Sequence, residues 1–344
     1  MTPKTQIPAI DEKVHFLSWA SHYPYPTDAV DVRETHMSWV FLTDRHAYKL
    51  KKPIRYDHLD LSTVKAREEN CLAEVALNSR LAEEIYLGIV PLSISEEGVM
   101  HLEEEGEIVD WLVKMKRIPE EYMLDYQIAH HGVDEELLEK TAERLASFYS
   151  NAPRADYSPE AFPERLRSEL EDYFQELFSF QEVLHDELMW EIENRQLNFL
   201  RDNAPLFGER VRQKKIVEGH GDLRPEHVCL TDPPVIIDCL EFDKELRTLD
   251  PVDDLSLLSV ECEFKDAPEV GARILKAYFG ASGDRLPEPL IFFYKSYRAV
   301  IRALLSIRHI SEAHYRNDPK WASKANKYLK MASRYTRMFY DAGS

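Results

Sequence analysis

Glycine is scarce in this chain, 11 residues in 344, and the sequence holds no low-complexity linker and no internal repeat. Repeat arrays and flexible tethers are thereby excluded, and compact elements joined by short turns are expected. Cysteine is rarer still. Its four residues, Cys71, Cys229, Cys239 and Cys262, lie far apart and form no CxxC, which removes a zinc knuckle or a redox pair and leaves reduced, buried thiols. No apolar run approaches the roughly 18 residues needed to span a bilayer. The opening "MTPKTQIPAIDEKVHFLSWA" carries the polar "DEK" where a secretory signal is apolar, so a cytoplasmic protein without a membrane partner is expected. Positive charge is in deficit as well: 43 Lys and Arg against 62 Asp and Glu give a formal net charge of −19. Such a surface repels a phosphate backbone, which argues against nucleic acid as partner, and it is compatible with a cationic small molecule.

What is present is ordinary globular material, 44% hydrophobic and 31% charged, in a length that suits one or two domains or one bilobal fold. The first third is strand-rich. "SWVFL", the turn "TDRH" and "AYKLKK" read as a hairpin; "VPLSI", "SEEG" and "VMHLE" read as a second; "EIVDWLVKMK" reads as a fifth strand. Between the hairpins, "STVKAREENCLAEVALNSRLAEEIY" places Leu72, Ala76, Leu77 and Leu81 at helical spacing, with Ser62 or Thr63 as cap. After "RIPEE" the pattern turns to long amphipathic helices, interrupted by "HVCL", "TDPP", "VIIDCLEF" as a hairpin. The expected fold class is α+β: a small N-terminal antiparallel five-strand sheet with one helix over residues 1–113, then a large, mainly helical lobe over 114–344, with a ligand cleft between them.

The densest chemistry lies in "IVEGHGDLRPEHVCL", where His220, Asp222, Arg224, Glu226 and His227 fall together. An Asp after Gly in a loop often does no more than cap a turn. Here a second acid, Asp238, stands on the returning strand, and two carboxylates brought together suit phosphoryl transfer, one orienting the attacking hydroxyl and the other holding a metal on the phosphates. Arg224 is placed to reach the transferred group. Alternation along "AYKLKK" puts Ala47, Lys49 and Lys51 on one face, so that a small residue leaves room for a flat base beside a lysine for its phosphates, and Glu74 on the following helix is placed to hold that lysine.

This ordered set resembles the aminoglycoside phosphotransferase group of the protein-kinase-like superfamily, over most of the chain. The resemblance implies a bilobal protein-kinase-like fold and an ATP- and Mg2+-dependent phosphotransferase acting on a small-molecule hydroxyl. It assigns Lys49 and Glu74 to the lysine–glutamate pair, and "WLVKMKRIP" to the hinge that receives adenine through the backbone of Lys114, Met115 and Lys116. "HGDLRPEH" becomes the catalytic loop with Asp222 as base, Asp238 the metal ligand, and Asp254 in "LDPVDDLSLL" the support of the catalytic loop. Two departures stand out. The family places Asn five residues after the catalytic Asp for the second magnesium, where this chain has His227, a poorer ligand for a hard ion. The phosphate loop "RETHMSWVF" offers Thr35 and Ser38 in place of glycines. His227 therefore keeps open a nucleotide-binding pseudokinase with a regulatory role, and a metal-dependent phosphohydrolase built on His220, Asp222, His227 and Asp238.

Other residues receive structural readings. His130-His131 mark a helix-to-loop junction, because adjacent helical residues point about 100° apart. Glu103 to Glu105 form a solvated turn, and Trp111 and the aromatics of "LIFFYKSY" pack a core. Arg298 and Arg302, four apart on one helix face, make ion pairs.

Overall fold

The alternation read in "AYKLKK" organises the first part of the structure. The computed structural model describes residues 7–56, 59–130, 132–311 and 318–341, and the chain divides into two units, Met1–Tyr122 with Val235–Lys244 and Met123–Pro234 with Glu245–Ser344. His131 lies outside the described residues.

The first unit begins with helix α1 (Ile10–Leu17) and holds strands β1 (Asp31–Glu34), β2 (Ser38–Leu42), β3 (His46–Lys51), the short pair β4 (Arg55–Tyr56) and β5 (Leu59–Asp60), helix α2 (Val64–Ala82), and strands β6 (Tyr86–Ile94), β7 (Met100–Leu102) and β8 (Glu107–Lys116). Six of these form one antiparallel sheet in the order β1-β2-β3-β8-β6-β7. The sheet thus has one strand more than expected. β1, "DVRE", is mostly exposed and charged, so it lacks the apolar alternation that betrays a strand. Tyr48 and Leu50 of β3 enter a core with Leu17, Phe41 and Leu112. Lys49 and Lys51 point to the other face, toward α2.

Helix α2 starts where Thr63 Oγ1 accepts from the Ala66 amide at 3.1 Å. Its buried face differs from the expected apolar stripe: Arg67, Cys71, Glu74, Asn78 and Leu81 are buried, whereas Leu72 is 51% exposed. Burying charge is tolerable only when it is paired. Arg67 forks onto Asp110 at 2.7 and 2.8 Å, and Lys13 of α1 reaches the same carboxylate at 2.7 Å. Glu103, expected in a solvated turn, accepts from Tyr48 Oη at 2.9 Å and from Lys114 Nζ at 2.8 Å.

The second unit is helical: α3 (Leu124–Ala129), α4 (Glu135–Asn151), α5 (Ala161–Phe178), α6 (Asp186–Asp202), α7 (Ala204–Arg212), α8 (Pro251–Phe264), α9 (Pro268–Ser282), α10 (Glu288–Arg308) and α11 (Pro319–Asp341). Strands β9 (Val217–Glu218) and β12 (Thr248–Leu249) pair antiparallel and frame the loop 219–227. Two further short strands are β10 (Val228–Cys229) in this unit and β11 (Val235–Ile236) in the first. Every residue of α8 from Pro251 to Cys262 is buried, charged ones included. Two of them are paired from α10: Arg298 forks onto Asp253 at 2.6 Å through Nε and Nη2, and Arg302 Nε meets Glu261 at 2.8 Å. The two arginines are the structural ion pairs expected of them, and Phe293, Tyr294 and Tyr297 of "LIFFYKSY" lie in the core. Among the described residues no helix is long and apolar enough to cross a membrane, and all four cysteines are free and buried.

Candidate active site

Within the first unit, Lys49 joins two acids. Its ammonium lies 2.9 Å from Glu74 Oε1 and 2.7 Å from Asp238 Oδ1. Burial lowers the pKa of this lysine, but Asp238, Glu74 and Glu241 outweigh it and hold it well above the ordinary value. Glu74 is wholly buried; burial pushes its carboxyl up, yet Lys49 and Lys51 more than reverse this, and the net shift is downward. A permanently charged lysine fixed by a permanently charged glutamate is what a phosphate-binding cation requires.

Asp238 occupies the left-handed backbone region, φ 60°, where a residue with a side chain costs on the order of 1 kcal/mol or more and must be held by its surroundings. The Asp238 amide donates to the Tyr86 hydroxyl at 3.2 Å and the Cys239 amide to Asn78 Oδ1 at 2.8 Å. The Asp238 carboxylate remains 41% exposed, and carboxylate oxygen is the donor a hard divalent ion prefers. Magnesium therefore fits Asp238.

Ala47 is buried opposite Met115 of β8. Lys114 directs its side chain to Glu103 and over the Tyr25 ring at 4.7 Å, so only its backbone is available on the sheet. The Lys116 amide is donated to Ile85 O at 2.8 Å and that of Arg117 to Arg45 O at 2.9 Å. A base contacting this strand end through amides would thus meet the chain beyond Arg117. The turn from Thr35 to Ser38 is closed by backbone and hydroxyl bonds: the Thr35 amide donates to Ser38 O at 2.8 Å, and the Ser38 amide to Thr35 Oγ1 at 3.0 Å. Ser38 Oγ is buried and makes no hydrogen bond among the described residues.

In the second unit, the loop 219–227 is tied to the start of α8. Asp254, fully buried, accepts the His220 amide at 2.7 Å, the Gly221 amide at 3.0 Å and the Tyr149 hydroxyl at 3.0 Å. Both glycines of "EGHGD" are required. A Cβ on Gly219 would lie 2.8 Å from Asp254 Oδ2, and Gly221 has φ 86°. Asp222 Oδ2 accepts from Arg224 Nε at 3.0 Å. Arg224 also donates to Glu226 Oε1 at 2.9 Å and lies 3.1 Å from His227 Nε2. Burial opposes the Arg224 charge, while Asp222 and Glu226 more than restore it.

His227 Nδ1 lies 2.8 Å from Asp222 O. A carbonyl only accepts, so Nδ1 carries the hydrogen and Nε2 receives the Arg224 guanidinium. Both ring nitrogens face the loop's own groups. His220 likewise takes the Asp222 amide on Nδ1 at 3.3 Å. His130 caps α3 through Tyr126 O at 2.8 Å. Sequence reading set Lys51 on the face of Lys49 without a partner and missed Tyr86 and Asn78; the polar types were visible, but their partners near residue 240 were not.

A model of the phosphotransferase enzyme family matches residues 64–290, and the chain belongs to that family. The match contains Glu74, the loop 219–227, Asp238 and Asp254, and begins after Lys49. An uncharacterised protein of Mycobacterium tuberculosis (strain ATCC 25618 / H37Rv) is 34% identical over 312 residues, covering 89% of this chain and 59% of its own length, so the chain spans about three fifths of that relative. Among solved structures, a choline kinase from Cryptosporidium parvum Iowa II matches with TM-score 0.57 and 13% identity, covering 97% of each chain. A thermostable mutant of aminoglycoside phosphotransferase APH(4)-Ia matches with TM-score 0.53 and 12% identity, over 90% of this chain and 95% of that one. At these identities the likeness speaks for the fold, which is the bilobal α+β protein-kinase-like fold expected from the sequence.

Proposed function

We propose that this protein transfers the γ-phosphoryl group of ATP to an alcohol hydroxyl of a small molecule. The observation that carries the reading is the joining of Lys49 to both Glu74 and Asp238, at 2.9 and 2.7 Å. One acid fixes the lysine and the other, half-exposed, offers oxygen to a metal. In this reading the sheet-bearing lobe, drawn in sequence at 1–113, holds the nucleotide, and the lobe from 114 supplies the catalytic loop and the acceptor pocket. Ala47 leaves room for adenine beside β8, the base meeting the chain beyond Arg117 because the Lys116 and Arg117 amides are already taken, Ser38 lies at the turn that faces the phosphates, and Lys49 neutralises them. Asp238 would hold magnesium, which when bound would supply positive charge against the phosphates. Asp222 orients the acceptor hydroxyl and receives its proton, and Arg224, already in contact with Asp222, offsets charge on the group in transfer.

His227 favours a single-metal scheme in this reading. It works as an internal strut, holding the Asp222 carbonyl and the Arg224 guanidinium, in the place where the family has a magnesium-binding amide. The same closure of Arg224 on Asp222 supports the second reading, a nucleotide-binding pseudokinase. The phosphohydrolase reading receives no support from the histidines, which both address the loop.

The test is turnover of magnesium ATP with a panel of hydroxyl compounds, aminoglycosides, choline and ethanolamine among them, followed by release of ADP and appearance of a phosphorylated acceptor. Nucleotide binding without any transfer across such a panel would replace the first reading with the second. No nucleotide binding would remove both.

A further inference from the structure

The left-handed turn at Asp238 carries a second ion pair that the proposed chemistry leaves unused. Three residues on, Glu241 Oε1 accepts from Lys51 Nζ at 2.5 Å. Lys51 is 1% exposed, and its ammonium also reaches Glu74 Oε2, the oxygen opposite the one Lys49 takes. One buried carboxylate thus carries two lysines, and each lysine carries one acid of the turn: Lys49 takes Asp238, and Lys51 takes Glu241.

This arrangement matters in the proposed function, where the Lys49–Asp238 pair would open as nucleotide binds. In the proposed function Lys49 turns to phosphate oxygens and Asp238 to magnesium, so the turn loses a charged tether at the strained residue. The amide bonds to Tyr86 and Asn78 remain, both neutral. Lys51 and Glu241 take no part in the exchange, and being buried they are little screened by salt.

We propose that Lys51 and Glu241 are positioning residues, a brace that keeps the 238–241 turn in register with Glu74 while Asp238 is transferred from Lys49 to a magnesium-bound nucleotide. The inference rests on the proposed function and adds to it two residues that touch neither nucleotide nor acceptor. Glu74 becomes the pivot: its two oxygens fix both ammoniums, and so fix both ends of the turn. A pair that served the fold alone would contribute to stability and leave the affinity for magnesium nucleotide untouched.

The two roles separate in a double variant. Lys51→Met alone strands Glu241 and one oxygen of Glu74, and Glu241→Leu alone removes one of the two acids on Lys51, so each lowers the unfolding temperature; the double variant regains only the part owed to the Lys51–Glu241 pair, because Glu74 Oε2 stays without its lysine. By titration calorimetry, both single variants and the double variant should bind magnesium ATP at least about tenfold more weakly than the parent. Their affinity for ATP without magnesium should stay within about threefold of the parent's. Recovery of parental magnesium ATP affinity in the double variant overturns the brace. Should the apolar variants fail to fold, Glu241→Gln decides: it keeps size and an oxygen for Lys51, and is expected to weaken magnesium ATP binding about three- to tenfold with a parental unfolding temperature. Parental affinity there overturns the proposal too. A parent protein that binds no magnesium ATP overturns the proposed function itself, and the brace with it.

Discussion

Replacing Asp254 with Asn leaves the side chain's size intact and removes its charge and one acceptor. The carboxylate is 0% exposed; Oδ2 accepts the His220 amide at 2.7 Å and the Tyr149 hydroxyl at 3.0 Å, and Oδ1 accepts the Gly221 amide at 3.0 Å. An asparagine can turn its oxygen to one backbone amide, but its NH2 then confronts the other. Losing one hydrogen bond to a charged group and stranding a buried N–H costs about 3 kcal/mol together. In a unit of roughly 200 residues each kcal/mol lowers the melting point by about 2–4 °C, so Asp254→Asn should melt about 6–12 °C below the parent. Scanning calorimetry reads this directly, with Asp172→Asn on an exposed face of α5 as control. Turnover should fall by about 10²-fold, the cost of displacing a reacting group by about 1 Å, with magnesium ATP affinity near the parental value. A variant that melts within about 2 °C of the parent would refute the reasoning, because the loop would then not be carried by this carboxylate.

Asp222→Asn keeps the loop's shape and should leave nucleotide binding nearly intact while turnover drops by roughly 10²- to 10⁴-fold, as expected for a positioned acid or base; equal losses of both would contradict the role given to Asp222. His227→Asn offers an amide N–H to the Asp222 carbonyl and an oxygen to magnesium, so magnesium-dependent turnover should hold or rise; abolished turnover with release of a tightly bound transition metal would reinstate a phosphohydrolase. Burial lowers the Lys295 ammonium from 10.5 to about 8. The folded state therefore holds fewer protons than the unfolded one between these values, and stability contributed through this group rises with pH from about 8 to 10.5. Lys295→Met should stabilise the protein at pH 7, on the order of 3 kcal/mol, and flatten that rise in denaturant titrations; a parental pH profile would contradict the burial argument.

What was legible in the sequence follows from contacts that alternation and local spacing control. The side of β3 on which Lys49 stands is set by the period of two, and "HGD" ahead of "HVCL" reads as a loop leading into a strand. Contacts decided by distant chain were not legible. Helix α2 looked apolar along Leu72, Ala76, Leu77 and Leu81, yet of these only Leu81 is buried, and the helix buries Arg67, Glu74 and Asn78, because Asp110, Lys49, Lys51 and the Cys239 amide arrive to satisfy them. Glu103 belongs to an acidic run that suits a solvated turn until Lys114 and Tyr48 are placed beside it. Strand β1 was missed because an exposed edge strand needs no apolar residues. Lys51 could be assigned a face but no partner, since Glu241 stands 190 residues away in sequence.

The central claim is phosphoryl transfer from ATP to an alcohol, and phosphorus NMR follows it whichever hydroxyl compound accepts the group. The parent protein, with magnesium ATP and a pooled set of hydroxyl metabolites, should consume the γ-phosphate resonance and produce a new phosphomonoester resonance. Asp222→Asn, under the same conditions, should leave both unchanged over the same time. A γ-phosphate resonance that persists with the parent, or decays to inorganic phosphate alone, would contradict the account.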